Sequence, residues 1–429
     1  MDTHSVHPYM VSGFVGYPII GRLFDVSQGK TWLTYDSWFK AYGDMVYFKE
    51  LGQGFLILGS VERTKDLLEK RAANYSDRPG LPMIIELMEW DIAFSLLPYG
   101  QWWRRHRRAF HEHFRAGVSY KYQPTQLREA RTFLRRLFRT PEKFGYHIRD
   151  SFSAMIMDVT YGIKISETDD PYISTAEEAV NGISQAAIPG QFIVDFLPIL
   201  NYVPSWMPGA SFRRKAKYWK SLNVEMMERP FEHVKQPLTV SSVQFLFLAM
   251  AMHPDVQRKA QAELDMVVGP NRLPNFNDRD SLPYITSNIN AIVKETMRWQ
   301  LVAPLAMGHM STRDDEYDGY LIPKGTLVLG NNWTILHNHE VYPLPDEYKP
   351  ERWLKYGTLN TNIPNPDIAA FEFGCRVCPG RHFSDDSLYA MASSILSVYN
   401  ISPPVDKSGN QIHLKPESTS GLLSYARFH

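Results

Sequence analysis

Residues 371–380 constrain this chain more than any other stretch. They read Phe-Glu-Phe-Gly-Cys-Arg-Val-Cys-Pro-Gly and contain both cysteines of the 429-residue sequence, Cys375 and Cys378. Gly374 permits a tight turn, and Gly380, without a Cβ, lets the backbone come close to a flat group. Pro379 leads into a periodic segment that predicts a final helix over residues 381–399. Cys378 then stands at a helix N-terminus, where the helix field and free N–H groups favour a thiolate and lower its pKa. Arg376 adds a planar fork of donors that matches a carboxylate. Phe371 can shield the sulfur from water.

Two cysteines three apart cannot build a disulfide framework, and such usage suits a reducing compartment. A zinc site would need two more ligands, and the sequence offers no third cysteine and no partner at finger spacing. A thioredoxin-like motif would sit in a βαβ context, which the surrounding pattern lacks. Inert buried cysteines would leave the Phe, Gly, Arg and Gly spacing unexplained. The reading that uses all of these residues is a haem site, with Cys378 as the ligand to iron and Phe371, Arg376 and Gly380 around the cofactor.

The pattern Phe-x-x-Gly-x-Arg-x-Cys-x-Gly resembles the signature loop of the cytochrome P450 family. The resemblance extends over residues 16–421, and segments 75–79, 208–210 and 278–283 are most similar to fungal microsomal members. It implies a mainly α (α+β) fold, a helical body with small peripheral β-sheets, as a single domain over residues 14–429. It also implies haem b as cofactor, electrons from NADPH through a reductase, and insertion of one atom of dioxygen into an apolar organic substrate. By the same resemblance Trp103 and Arg107 contact one haem propionate and His309 the other. Glu295, Arg298 and Arg352 would lock the core behind the haem without doing chemistry. Their first pair, three apart, shares a helix face. Residues 301–307 would line the substrate pocket. Arg104, Arg105 and Arg108 either attract an acidic reductase or form a solvated face. His111 and His113, two apart, do not share a helix face and read as surface histidines. A monomer is expected.

The rest of the chain fits such a body. Strand signals at 45–48 and 55–58 read as a hairpin through Gly52 and Gly54, and Ser60 as the cap of a short helix ending near Lys70. Residues 101–263 are mostly helical in pattern, broken at 189–190 and 204–209. Further helices start at Pro254 and Pro283, and strands return at 320–322 and 326–329 around a turn at 323–325. The 46 basic and 46 acidic residues cancel, so no field for nucleic acid exists. No run of about 18 apolar residues occurs to span a bilayer, although the resemblance implies the endoplasmic reticulum membrane, reached through an N-terminal anchor. Segment 192–206, cut by Asp195, Pro198 and Pro204, suits either a membrane surface or a buried core loop.

One region departs from the family. Its long central helix carries an Ala-Gly-x-Asp/Glu-Thr stretch whose acid and alcohol help deliver protons during oxygen activation. Here residues 232–239 run directly into 240–252, which match only the later part of that helix, so an internal deletion near 235–240 is expected. Pro237 would break a helix interior. Losing this segment removes a haem-covering wall and a proton relay and admits water. The alternative reading is thus a truncated relative that binds haem but is catalytically impaired.

Overall fold

The structure, a computed structural model, describes residues 30–162, 171–188, 191–228, 237–281, 285–356, 358–360, 362–419 and 423–426. The expectations placed on residues 16–21, 189–190, 232–236, 282–283 and 421 lie outside them. Strands β1 (Met45–Glu50) and β2 (Gln53–Leu58) form the expected antiparallel hairpin, with Glu50 opposite Gln53. The link is short because Leu51 (φ 48°) and Gly52 (φ 85°) both take left-handed backbone, the geometry that two-residue hairpins require. Alternation sends successive side chains to opposite faces. Val46, Phe48, Phe55 and Ile57 pack on Trp32, Tyr35 and Trp38 of helix α1 (Thr31–Tyr42), an element the sequence pattern did not announce. Met45, Tyr47, Leu56 and Leu58 join a second core on the other face.

The later strands are β3 (His309–Met310), β4 (Asp315–Tyr317), β5 (Tyr320–Ile322) and β6 (Leu327–Gly330). β6 adds to β2 in parallel and β3 adds to β6 antiparallel, giving the order β1-β2-β6-β3. The strands on either side of the 323–325 turn therefore do not pair with each other. β5 pairs with β4 instead, and the turn carries the chain from one sheet to the next.

The helical body comprises α2 (Gln101–Phe114), α3 (Gln123–Arg139), α4 (Phe144–Tyr161), α5 (Pro171–Ala186), α6 (Ser211–Glu228), α7 (Pro237–Met252), α8 (Pro254–Val267), α9 (Ile285–Trp299) and α10 (Arg381–Leu396). Two of them are central. In α7, Val243, Phe245, Leu246, Leu248, Ala249 and Met250 are all buried, so the helix is enclosed on every side. Its described part starts at Pro237. Helix α10 is buried from Phe383 to its end, with a brief exception at Asp385. Its buried serines return hydrogen bonds to their own helix: Ser387 Oγ donates to the Phe383 carbonyl at 2.8 Å and Ser393 Oγ to that of Tyr389 at 2.7 Å. The largest core joins α3, α4, α7, α8, α9 and α10. Each fully buried Leu, Phe or Met in it contributes about 1.5–3 kcal/mol. The cysteine loop enters α10 at the edge of this core, facing α2 and β3.

Candidate functional site

The loop holds its shape through backbone geometry. Gly374 lies at φ +54°, and a Cβ there would fall 2.0 Å from the Leu68 carbonyl oxygen, so only glycine lets the loop pass. The Cys378 N–H donates to the Phe371 carbonyl at 2.8 Å, and the Arg376 N–H to that of Phe373 at 3.0 Å. Gly380 precedes α10 at φ −88°, a conformation open to any residue, so backbone strain does not demand it. Phe371 is part of the main core and Cys378 packs against that core's edge. Burial pushes the Cys378 thiol up, while the Gly380 N–H and the Arg107 guanidinium pull it down; burial prevails. The expected lowering of this pKa by the helix terminus is thus corrected. Desolvation of the anion outweighs the donors aimed at it.

Helix α2 places Trp103 and Arg107 one turn apart beside the loop. Arg107 Nη1 donates to the Val377 carbonyl at 2.5 Å, and burial lowers the pKa of its guanidinium despite the nearby Cys378. Trp103 is 4% exposed, stacks on Phe94 with centroids 5.8 Å apart, and carries the Arg376 guanidinium 4.5 Å above its ring. Arg376 donates from Nε to the Ser76 carbonyl at 2.9 Å and from Nη2 to that of Leu97 at 2.8 Å. Its Nη1 is buried with no hydrogen-bond partner. Burial, reinforced by nearby Arg78, pushes its pKa down to about 9.

His309, from β3, is buried with both ring nitrogens engaged. Nδ1 lies 2.7 Å from the Tyr75 carbonyl and Nε2 3.3 Å from Glu372 Oε2. Burial lowers its pKa, against the pull of Glu372. Glu372 also accepts from the Met307 N–H at 2.5 Å and lies 3.8 Å from Arg78 Nη2. Arg78 is itself buried and donates to the carbonyls of Ser95, Met307 and Gly308. Neither Arg78 nor Glu372 was singled out by sequence reasoning. Arg78 lies within segment 75–79, which carried family texture but no assigned role, and Glu372 occupies a variable position of the loop pattern.

Behind the loop, Glu295, Arg298 and Arg352 meet as expected. Arg298 donates to both Glu295 oxygens at 2.8 and 3.0 Å, and Arg352 Nε donates to Oε1 at 3.0 Å. A separate cleft of about 920 Å³, including its open mouth, lies between the main sheet and residues 186–188 and 195–196. Leu305 and Ala306 of the expected pocket stretch line it, with Phe55, Leu81, Phe196 and Leu327. Leu301 does not; it is buried in the second core.

A family model described as cytochrome P450 matches residues 11–236 and 239–424. The chain belongs to the cytochrome P450 family. Among fungal relatives, cytochrome P450 monooxygenase COX2 of Coprinopsis cinerea is 45% identical over 448 aligned residues, covering 94% of this chain and 84% of the relative. COX1 of the same organism is 39% identical over 459 residues, covering 95% and 88%. The tryptamine 4-monooxygenase of Psilocybe cyanescens is 36% identical over 455 residues, covering 95% and 89%. A helical body with small sheets is the architecture expected of a P450, and the family supports an oxygen-incorporating oxidoreductase.

Proposed function

We propose that this P450 is a haem-thiolate monooxygenase that takes electrons from NADPH through a reductase and places one atom of dioxygen into an apolar substrate. The observation that carries this reading is Arg376 Nη1, buried and unpartnered in the loop that presents the partly buried Cys378. A buried donor left unmade costs about 1–3 kcal/mol and marks the place of an absent acceptor. Haem b fits the residues present. Its iron would take Cys378, one propionate would take Trp103, Arg107 and Arg376, and the second would approach His309.

When bound, haem supplies the redox chemistry that activates dioxygen. The chain's own residues supply its setting. Cys378 gives a thiolate that donates electron density, and Phe371 and the core behind it exclude water from the sulfur. Gly380 offers its N–H to that sulfur and tempers its basicity. The Glu295 network keeps the loop's backing rigid. The lining of the sheet-side cleft supports an apolar substrate, and the one carboxylate among its described residues, Asp195, is pushed up to about 6 by burial against the pull of the Met83 N–H.

Membrane attachment at the endoplasmic reticulum surface is part of the proposal. Ile193, Ile199, Tyr202 and Trp206 expose 55–86% of their surface on one short segment, the kind of apolar patch that dips into a headgroup layer. Among the described residues no helix is long and apolar enough to cross a membrane.

A second reading, haem binding with impaired turnover, is favoured by the family match, which breaks between residues 236 and 239. That break supports an internal deletion near residues 235–240. Reconstitution with haem, a reductase and NADPH under isotope-labelled dioxygen separates the readings. Label in an oxidised apolar substrate is the expected result. NADPH consumption without labelled product would assign the impaired reading, and failure to take up haem would overturn both.

A further inference from the structure

Glu372 is a strained residue whose partly buried carboxylate, 17% exposed, faces two buried side chains. Its φ of +69° lies where L side chains are rarely found, and such strain persists only when the surroundings hold it. Here the carboxylate does the holding. Oε1 accepts the Met307 N–H, and Oε2 faces both His309 Nε2 at 3.3 Å and Arg78 Nη2 at 3.8 Å. Burial opposes ionisation, yet His309, Arg78 and the Met307 N–H together hold the carboxyl below its ordinary range. The other side-chain hydrogen bonds of Arg78 end on neutral carbonyls, and His309 Nδ1 ends on another, so Glu372 brings the larger negative charge to this pair, with a lesser pull from Asp77 on Arg78.

We infer that Glu372 is a built-in counter-anion for the Arg78–His309 site, occupying the place where that pair would receive a carboxylate of the bound cofactor. The inference rests on the haem reading above and deepens it. One clamp, at Arg376, stands open with an unpartnered N–H. The other is already closed by the chain's own side chain. A cofactor carboxylate must displace Glu372 or bind beside it against like-charge repulsion.

Two variants and two probes test this. Glu372→Gln keeps an amide oxygen for the Met307 N–H while removing the charge. Without cofactor its thermal midpoint falls, because Arg78 loses a buried partner. Its affinity for hemin nonetheless rises by about tenfold, the scale of one charge-assisted hydrogen bond. Hemin dimethyl ester, whose propionates carry no charge, binds wild type and Glu372→Gln equally. A residue that merely supported the loop would weaken hemin and its ester alike. Equal or weaker hemin binding by Glu372→Gln, with the thiolate-type spectrum intact, overturns the inference alone. Cys378→Ala serves as the separate check on the haem reading: a thiolate-type spectrum that survives it overturns that reading while the affinity comparison still stands. Failure of every variant to take up hemin overturns both.

Discussion

Replacing Glu295 by alanine would strip the anion from two buried guanidinium groups at once. Glu295 accepts from Arg298 Nε and Nη2, from Arg352 Nε, from Trp353 Nε1 and from the Lys349 N–H, all at 2.8–3.0 Å. The remaining donors of both arginines go to the carbonyls of Leu336, Pro343, Leu344, Pro345 and Glu347, which satisfy hydrogen bonds but not charge. Breaking such a buried pair costs about 3–5 kcal/mol. With an unfolding entropy of about 2.1 cal/mol/K per residue, a chain of this length loses roughly 4–5 °C of thermal midpoint for ~4 kcal/mol. Calorimetry of Glu295→Ala, Arg352→Met and the double variant measures it. The double variant should cost less than the two singles added together, by about 0.5–3 kcal/mol, because neither partner is then left facing a lost one. A single variant that melts within about 1 °C of wild type, or singles that add, would refute the reasoning.

Three further outcomes follow from local geometry. Gly374→Ala places a Cβ 2.0 Å from the Leu68 carbonyl oxygen at φ +54°, so soluble yield and haem content should both collapse. His337, stacked on Trp333, is pushed down to about 3 by burial, with Arg298 adding to it, from an ordinary value of 6.5. The unfolded chain then binds the proton first, so stability falls as pH drops from 6.5 towards 3, and His337→Asn should flatten that part of a pH series of denaturation midpoints. Asp195 has the opposite sign. Its pKa is raised from 3.8 to about 6, so its contribution to stability is lost as pH rises through that window. Asp195→Asn, which keeps the acceptor for the Met83 N–H, should gain stability relative to wild type above pH 6 and lose the advantage near pH 4, read by the same midpoints.

What could be read in advance follows the physics of each feature. The cysteine loop was legible because its glycines, arginine and cysteine lie within ten consecutive residues, and Gly374 proved necessary for a reason that sequence states well: space and φ. Spacing placed Glu295 and Arg298 on one helix face, but their triad with Arg352 was legible only through the family resemblance. The second anion site was legible only in His309, through the family resemblance; Arg78 and Glu372 were not. It is assembled from residues 78, 309 and 372, brought together by the pairing of β3 with β6 and by the bridge between Asp77 and Met310. A positive φ at Glu372 leaves no mark in the sequence, since glutamate does not announce left-handed backbone. The direction of the Cys378 pKa shift was misread for a related reason. A helix terminus can be seen in sequence, but the burial that outweighs it is a property of the packed core.

The account turns on Cys378 as the ligand of a haem whose propionates are received by the adjacent cationic cluster. The reduced protein under carbon monoxide reports this ligand directly through its Soret band. The account predicts a red-shifted, thiolate-type band in wild type, its loss in Cys378→Ala, and its retention in Cys375→Ala. A thiolate-type band that persists without Cys378, or one that depends on Cys375 instead, would contradict it.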